Sequence, residues 1–403
     1  MEKKKILIFS LMYFPWVGGA EVAVKQITDR VSEDEFEFHM ITLGADSKLP
    51  LTEKMGAIMV HRIGWFKKVS PTTSDYYRLP LKLNKWIFQF GAFFYALKLH
   101  KQNKFDGVWA IMAQSTGVPA TLFKLRHSSV PFILTLQEGL AARAMKKKML
   151  PVYPLYKLSF KKADVIQSIS KYLDDFGKSM GFRGESRIIP NGVDGELFRK
   201  ETPVEVKDNL RRVHSIKKDD IVLLHNGRLA IKNGVEDLIK ALPLCGSHVK
   251  LLLVGDGPLK EELQNLAKGI KVADRVIFIG QKSYEQLPHY LSIAHIFIRP
   301  SLSEGFGNVF VEAMAARVPV IGTRVGGIRD FLFEGETGWV CNSKDPKSIA
   351  QKVHYIVNPA NKNEVEGVLL NAEKMVHDKY EWPIIAGEIE RLFKDYIGHV
   401  SRS

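Results

Sequence analysis

Two glutamates, Glu304 and Glu312, stand eight positions apart in the stretch SEGFGNVFVEAMA, separated by Gly305, Phe306, Gly307, Asn308 and Val309 and two further residues. In one continuous helix carboxylates at that spacing would lie roughly 12 Å apart, at about 1.5 Å per residue. The flanking sequence predicts something else. Ala294 to Ile298 is a short apolar run bounded by Arg299 and Pro300, and reads as a buried strand. Val309, Glu312, Ala313 and Ala316 then follow at helical spacing until Pro319. A strand, a glycine loop and a helix let Glu304 fold back beside the helix mouth, with Glu312 about one turn inside. That mouth offers unpaired N–H groups and a partial positive charge to an anion. The arrangement suits a ligand with phosphate in the middle and hydroxyls at both ends. In the competing reading Glu304 caps the helix and Glu312 complements its dipole. A capping box places its acid three residues after the cap, however, and with Asn308 as cap that position is Val311.

A diphosphate between two such carboxylates needs cations. Arg228 and Lys232 follow another buried run, on a loop carrying Gly227 and Gly234, and supply a fork donor and a flexible ammonium. Gly18 and Gly19, after the first apolar run, offer bare backbone amides that can approach a phosphate closely.

These loops need a frame. Apolar runs alternate with helical patterns through KILIFS, FEFHMIT, GVWAIM, PFILTL and ADVIQSIS, then restart after a polar stretch with DIVLLHNG, VKLLLVG, RVIFIG and HIFIRP. Such alternation predicts an α/β chain of parallel sheets flanked by helices. The restart predicts two doubly wound, Rossmann-like domains, one over 1–195 and one over 196–379, the boundary lying in the polar segment from about Gly195 to Asp220. Ligands of such sheets sit outside the carboxyl ends of the strands, so glycine-marked loops facing each other from two domains would form a cleft.

At 403 residues the chain can build both cores. Its two cysteines, Cys245 and Cys341, have no metal-ligand spacing around them and fit a reducing, cytoplasmic compartment. The opening MEKKKILIFSLMYFPWVGGAE imitates a signal peptide, but Ala20, Ala23, Ile27 and Val31 continue as one helical face, which predicts a strand feeding a helix. No run approaches the roughly 18 apolar residues of a spanning helix. The net charge of +14 calls for an anionic partner. Its clusters, Lys3 to Lys5, Lys146 to Lys148 and Lys161 to Lys162, sit in no nucleic-acid motif, which favours anionic lipid or a phosphorylated ligand over nucleic acid. Between Pro80 and Lys101 a helical pattern collects Leu83, Trp86, Ile87, Phe90, Phe93, Phe94 and Leu97 on one face, with Lys82, Lys85, Lys98 and Lys101 towards its ends. The expected role is core packing, with a membrane interface as the alternative.

The order GG, IPNGVD, GRL with KNG, VGDGP, and Glu304-x7-Glu312 with TRVGG after it resembles the retaining glycosyltransferases of family four, which have the GT-B fold. The resemblance covers essentially the whole chain. It implies that Glu312 binds the ribose of a donor nucleotide and Glu304 the hydroxyls of the donor sugar. It also implies that amides around Gly305, Phe306 and Gly307 hold sugar and phosphate, that Arg228 and Lys232 neutralise the diphosphate, and that Gly19 closes the phosphate site. Backbone near Gly280 to Lys282 would meet the base. Residues 380–403 resemble the terminal helix that crosses back to the first domain. Two departures stand out. Asn233 occupies the place, directly before the glycine, where many members have a lysine, and Gln137-Glu138 stands where many have His-Asp. Lys232 and Gln137 are taken as the functional replacements.

The expected activity is transfer of a hexosyl group, with retention, from a UDP- or GDP-sugar to a glycan or lipid-linked acceptor, possible attachment to an anionic membrane surface being kept open. No cofactor or metal is expected, since no Asp-x-Asp triplet occurs. The competing readings are a glycoside hydrolase using Glu304 and Glu312, a GT-B epimerase or phosphorylase, and a degenerate module that binds sugar nucleotides without turning them over.

Overall fold

The computed structural model describes residues 2–15, 18–71, 75, 78–139 and 142–398. The chain forms two units, Met1–Asn191 with Trp382–Ser403, and Gly192–Glu381. The division falls slightly ahead of the polar segment where the sequence analysis placed it. The reason is local: Val193 N–H donates to Tyr380 O at 2.7 Å, tying the chain into the second unit at once.

The first unit carries an eight-stranded sheet: β1 (Lys4–Phe9), β2 (Phe36–Leu43), β3 (Thr52–Met55), β4 (Ile58–Ile63), β5 (Gly107–Ile111), β6 (Phe132–Leu136), β7 (Val165–Ser168) and β8 (Glu185–Ile188). Their order is β3-β4-β2-β1-β5-β6-β7-β8, parallel throughout except for the β3/β4 pair. The central strands β5 and β6 are buried along their whole length, as expected where helices cover both faces. The apparent signal peptide forms β1 and the helix Gly19–Thr28, with Ala23 and Ile27 in the core.

The second unit has six parallel strands: β9 (Ile221–Asn226), β10 (Val249–Val254), β11 (Val276–Gly280), β12 (Ile296–Arg299), β13 (Val320–Gly322) and β14 (Trp339–Val340). Their order is β11-β10-β9-β12-β13-β14. Every apolar run expected as a strand is one. The strands that pattern did not reveal are β3, β4, β8, β13 and β14, which are short, at or near a sheet edge, or interrupted by polar residues such as His61 and Arg62 in β4. Strand order reverses between β1 and β5 in one sheet and between β9 and β12 in the other.

The helix Trp382–Ile397 belongs to the first unit. Phe393 is fully buried, its ring 5.2 Å from that of Trp109 and 5.7 Å from that of Phe36. The same helix packs Ile397 against Gly107, where a Cβ would lie 2.4 Å from Ile397 Cδ1 and force that side chain to shift.

One expectation is corrected. The helix Leu81–Asn103 packs on the core through Leu81, Phe88, Ala92, Ala96 and Leu99, not through the aromatic face. Small Ala92 and Ala96 allow close approach to the body of the unit, and the wide stripe turns outward: Leu83, Trp86, Phe90 and Phe94 are all exposed, Phe94 to 66 %. Among the described residues no helix is long and apolar enough to cross a membrane.

Truncating Phe393 to Ala removes a fully buried ring from this core and is expected to cost about 3–5 kcal/mol. Hydrogen exchange followed through urea unfolding should show the lost protection in β1, β2 and β5, with β9 to β12 unchanged.

Candidate active site

Strand order in the second sheet reverses at β9/β12, and that is where an open parallel sheet binds its ligands. The loops leaving these two strands are 227–234 and 300–307, so Arg228, Lys232, Glu304 and the Gly305–Gly307 bend all arise at one crevice. Backbone contacts fasten the loops together. Leu302 N–H donates to Lys232 O at 2.7 Å. Gly234, at φ +67, passes so close to Pro300 that a Cβ would lie 2.1 Å from its carbonyl oxygen. The VGDGP loop joins the same row through Leu229 N–H to Asp256 O, 3.0 Å. Its glycines therefore serve backbone packing against Gly227 and Leu229.

Glu304 is 8 % exposed. Its Oε2 accepts from Arg299 Nη2 at 2.7 Å, and its Oε1 lies 3.7 Å from Lys232 Nζ. The TRVGG loop closes over its backbone: Gly327 N–H donates to Glu304 O at 3.2 Å. Gly326, at φ +54, admits no other residue, since a Cβ would fall 1.8 Å from that oxygen. Burial draws the Lys232 ammonium below its ordinary pKa, with the Glu304 carboxylate opposing.

Arg299, the last residue of β12, was read from sequence only as the end of an apolar run. It is 7 % exposed, and its Nη2 also donates to Asn233 Oδ1 at 2.8 Å. Asn233 is fully buried and in turn donates to Arg228 O. The asparagine that departs from the family pattern is thus a structural link between Arg228, Arg299 and Glu304. A charged residue ending a buried strand was the available signal; its partners lie in the loops after β9 and β12.

The second glutamate has a different environment. The helix Asn308–Ala315 starts from Gly307 at φ +107, which makes Gly307 the cap rather than Asn308, and no side chain caps it. Glu312 lies one turn in and is 7 % exposed. Burial raises its pKa from 4.5 to about 7, against a lowering influence from Arg299. It borders a cavity of about 10 Å³ together with Asn226, Tyr290 and Val309, room for about one water molecule. Lys282 Nζ sits 5.7 Å from the Tyr290 ring centre. Phe306 contributes only backbone to this surface. Its side chain is 1 % exposed and packs on Phe331 and Tyr380, with ring centres 5.2 and 5.6 Å away.

In the first unit Gly18 caps the helix Gly19–Thr28, and its N–H is already occupied by Glu21 Oε2 at 2.8 Å. Gly18 is therefore spoken for by its own helix, whereas Gly19 opens that helix. Gln137 follows β6, and its Oε1 is buried with no hydrogen-bond partner among the described residues. Beside it Glu138, to which the sequence analysis assigned no role, is fully buried. Gln114 N–H reaches its Oε1 at 3.3 Å, and burial lifts its pKa to about 7. Among the described residues no group of three or more His, Cys, Asp or Glu is placed to hold a metal ion.

Residues 17–197 match the family model described as Glycosyltransferase Family 4, and residues 206–365 that described as Glycosyl transferases group 1. The chain belongs to the family-4 glycosyltransferases with the GT-B fold, and it is a glycosyltransferase enzyme. It is 27 % identical to a glycosyltransferase of Methanocaldococcus jannaschii, over 94 % of each chain. Among solved structures, sucrose-phosphate synthase from Thermosynechococcus elongatus superposes with a TM-score of 0.81 at 21 % identity, covering 99 % of this chain and all of that one. Anabaena HepE in complex with UDP-glucose superposes with a TM-score of 0.76 at 19 % identity, covering 97 % and 99 %.

Because Glu312 keeps its proton in the folded chain where an unfolded chain has lost it, its contribution to stability declines as pH rises from 4.5 through about 7. Glu312→Gln removes that decline. Urea unfolding should show variant and wild type diverging as pH rises, with the variant ahead by about 1–3 kcal/mol at pH 8 and level with it near pH 4.

Proposed function

We propose that this enzyme transfers a hexosyl group from a nucleotide-diphosphate sugar, UDP- or GDP-linked, to a glycan or lipid-linked acceptor with retention of anomeric configuration. The observation that carries this reading is the meeting of Arg228, Lys232, Glu304 and the uncapped helix Asn308–Ala315 at the β9/β12 reversal, with Glu312 buried one turn inside that helix. HepE, named as a complex with UDP-glucose, supports a nucleotide sugar as donor.

In this reading the nucleotide's ribose reaches Glu312, the diphosphate lies across the helix mouth, and the sugar reaches Glu304. Cleavage of the bond between the anomeric carbon and the diphosphate builds negative charge on the leaving oxygens. Arg228, Lys232 and the first amides of the helix meet that charge as fixed donors, which is electrostatic preorganisation. The acceptor hydroxyl attacks the same face and passes its proton to the departing phosphate, so neither a side-chain nucleophile nor a metal is used. Gln137 has no titrating group to contribute and serves only as a hydrogen-bonding partner.

The outward stripe of Leu83, Trp86, Phe90 and Phe94, with Lys82, Lys98 and Lys101 exposed on the same helix, favours attachment of the protein to an anionic membrane surface, and hence a lipid-linked or membrane-proximal acceptor.

Two experiments test this. Calorimetric titration should show Glu312→Ala weakening a nucleoside diphosphate by roughly 10–100-fold, while Glu304→Ala spares the nucleoside diphosphate and weakens its sugar conjugate. Unchanged donor binding in both variants would remove the assignment. In vesicle sedimentation at low salt, the wild type should bind phosphatidylglycerol vesicles and the pair Phe90→Ser and Phe94→Ser should lower binding at least about tenfold; no binding by the wild type would count against a membrane role.

A further inference from the structure

Glu304 has two cationic partners of different character. Arg299 is buried, holds Oε2 at 2.7 Å, and is itself anchored by Asn233 Oδ1 at 2.8 Å. Lys232 stands 3.7 Å from Oε1 on a side chain that is 32 % exposed. The first contact has the short, charge-assisted geometry of a fixed pair. The second is long, and the ammonium sits at the end of a flexible stem. A buried carboxylate stripped of every cation is strongly destabilising. Lys232 can leave Glu304 for a ligand's phosphate only because Arg299 stays behind.

We propose that Arg299 is a positioning residue that holds the Glu304 carboxylate and so releases Lys232 to bind the donor's diphosphate. The inference rests on the assignment of Arg228, Lys232 and Glu304 to a nucleotide sugar. It also accounts for Asn233. A lysine in its place would add a fourth cation to Arg228, Lys232 and Arg299, whereas asparagine accepts from Arg299 and donates to Arg228 O. Lys232, one place earlier, is then left for the ligand while Arg299, from β12, keeps the carboxylate.

The role makes an unusual prediction about two variants combined. With Arg299→Leu, Lys232 becomes the sole cation on Glu304 and is held there. Nucleoside diphosphate binding should then fall, on the order of tenfold, although Arg299 itself touches no phosphate. Glu304→Gln in the same chain frees the lysine again. The double variant should bind the nucleoside diphosphate within about threefold of Glu304→Gln alone, while binding of the sugar conjugate stays weak in both. Calorimetric titration of the full-length chain with UDP, GDP and their sugar conjugates reads this out. A merely structural arginine would give losses that add in the double variant, and that result, or unchanged affinity in Arg299→Leu, overturns the proposal. If Arg299→Leu does not fold, Arg299→Lys serves: retaining the charge, it should keep diphosphate affinity within threefold, and a tenfold loss there also overturns the proposal. Failure of the wild type to bind any of these nucleotides would instead remove the donor assignment itself, and this role with it.

Discussion

A carboxylate taken out of water must be paired, and in this enzyme that requirement organises the crevice. Glu304 stands at the carboxyl edge of the second sheet, 8 % exposed, and its cation comes from the preceding strand while its second cation comes from the loop after β9. For both to reach it, the loops after β9 and β12 must touch along their backbones. That demand explains the left-handed Gly234 against Pro300, the Leu302–Lys232 hydrogen bond, and Gly326 against the Glu304 carbonyl. The reversal of strand order at β9/β12 makes the two loops neighbours in the first place.

The two glutamates show how one short segment prepares different chemistry. Glu304 is compensated by two cations, whereas Glu312 lies inside the helix with burial as the dominant influence and holds its proton to about pH 7. A carboxyl poised there can both donate to and accept from a pair of hydroxyls. Glu138 in the first unit is raised to the same region by the same cause, against the lowering influence of nearby backbone amides, that of Gln114 at 3.3 Å. Buried acids of this kind lower stability at neutral pH, a cost that ordinary core residues would avoid.

Much of this was legible in sequence. The alternating apolar runs marked the strands, and Glu304, Glu312, Arg228 and Lys232 stood out because acids and bases beside glycines at strand ends are chemically conspicuous. What could not be read was pairing between strands. Arg299 looked like the polar end of a run because nothing in one sequence tells that β9 lies beside β12. Asn233 looked like a lost lysine, and its bond to Arg299 exists only in three dimensions. Phe306, inside the glycine bend, was read only for its backbone amide, and the burial of its ring against Phe331 and Tyr380 could not be read. The helix Leu81–Asn103 failed for a related reason. Periodicity located its aromatic stripe, but the side facing the core was settled by the small residues Ala92 and Ala96.

In the proposed function, Arg228, Lys232 and the mouth of the helix Asn308–Ala315 hold a nucleoside diphosphate at β9/β12. The most direct measurement is a thermal-shift series of the wild-type chain against UDP, GDP, ADP and dTDP and their common sugar conjugates, with and without a divalent ion. The account predicts stabilisation by one nucleotide family, larger with the sugar attached and the same in both ionic conditions. Absence of any shift at millimolar ligand, or a shift that appears only when the divalent ion is present, would contradict it.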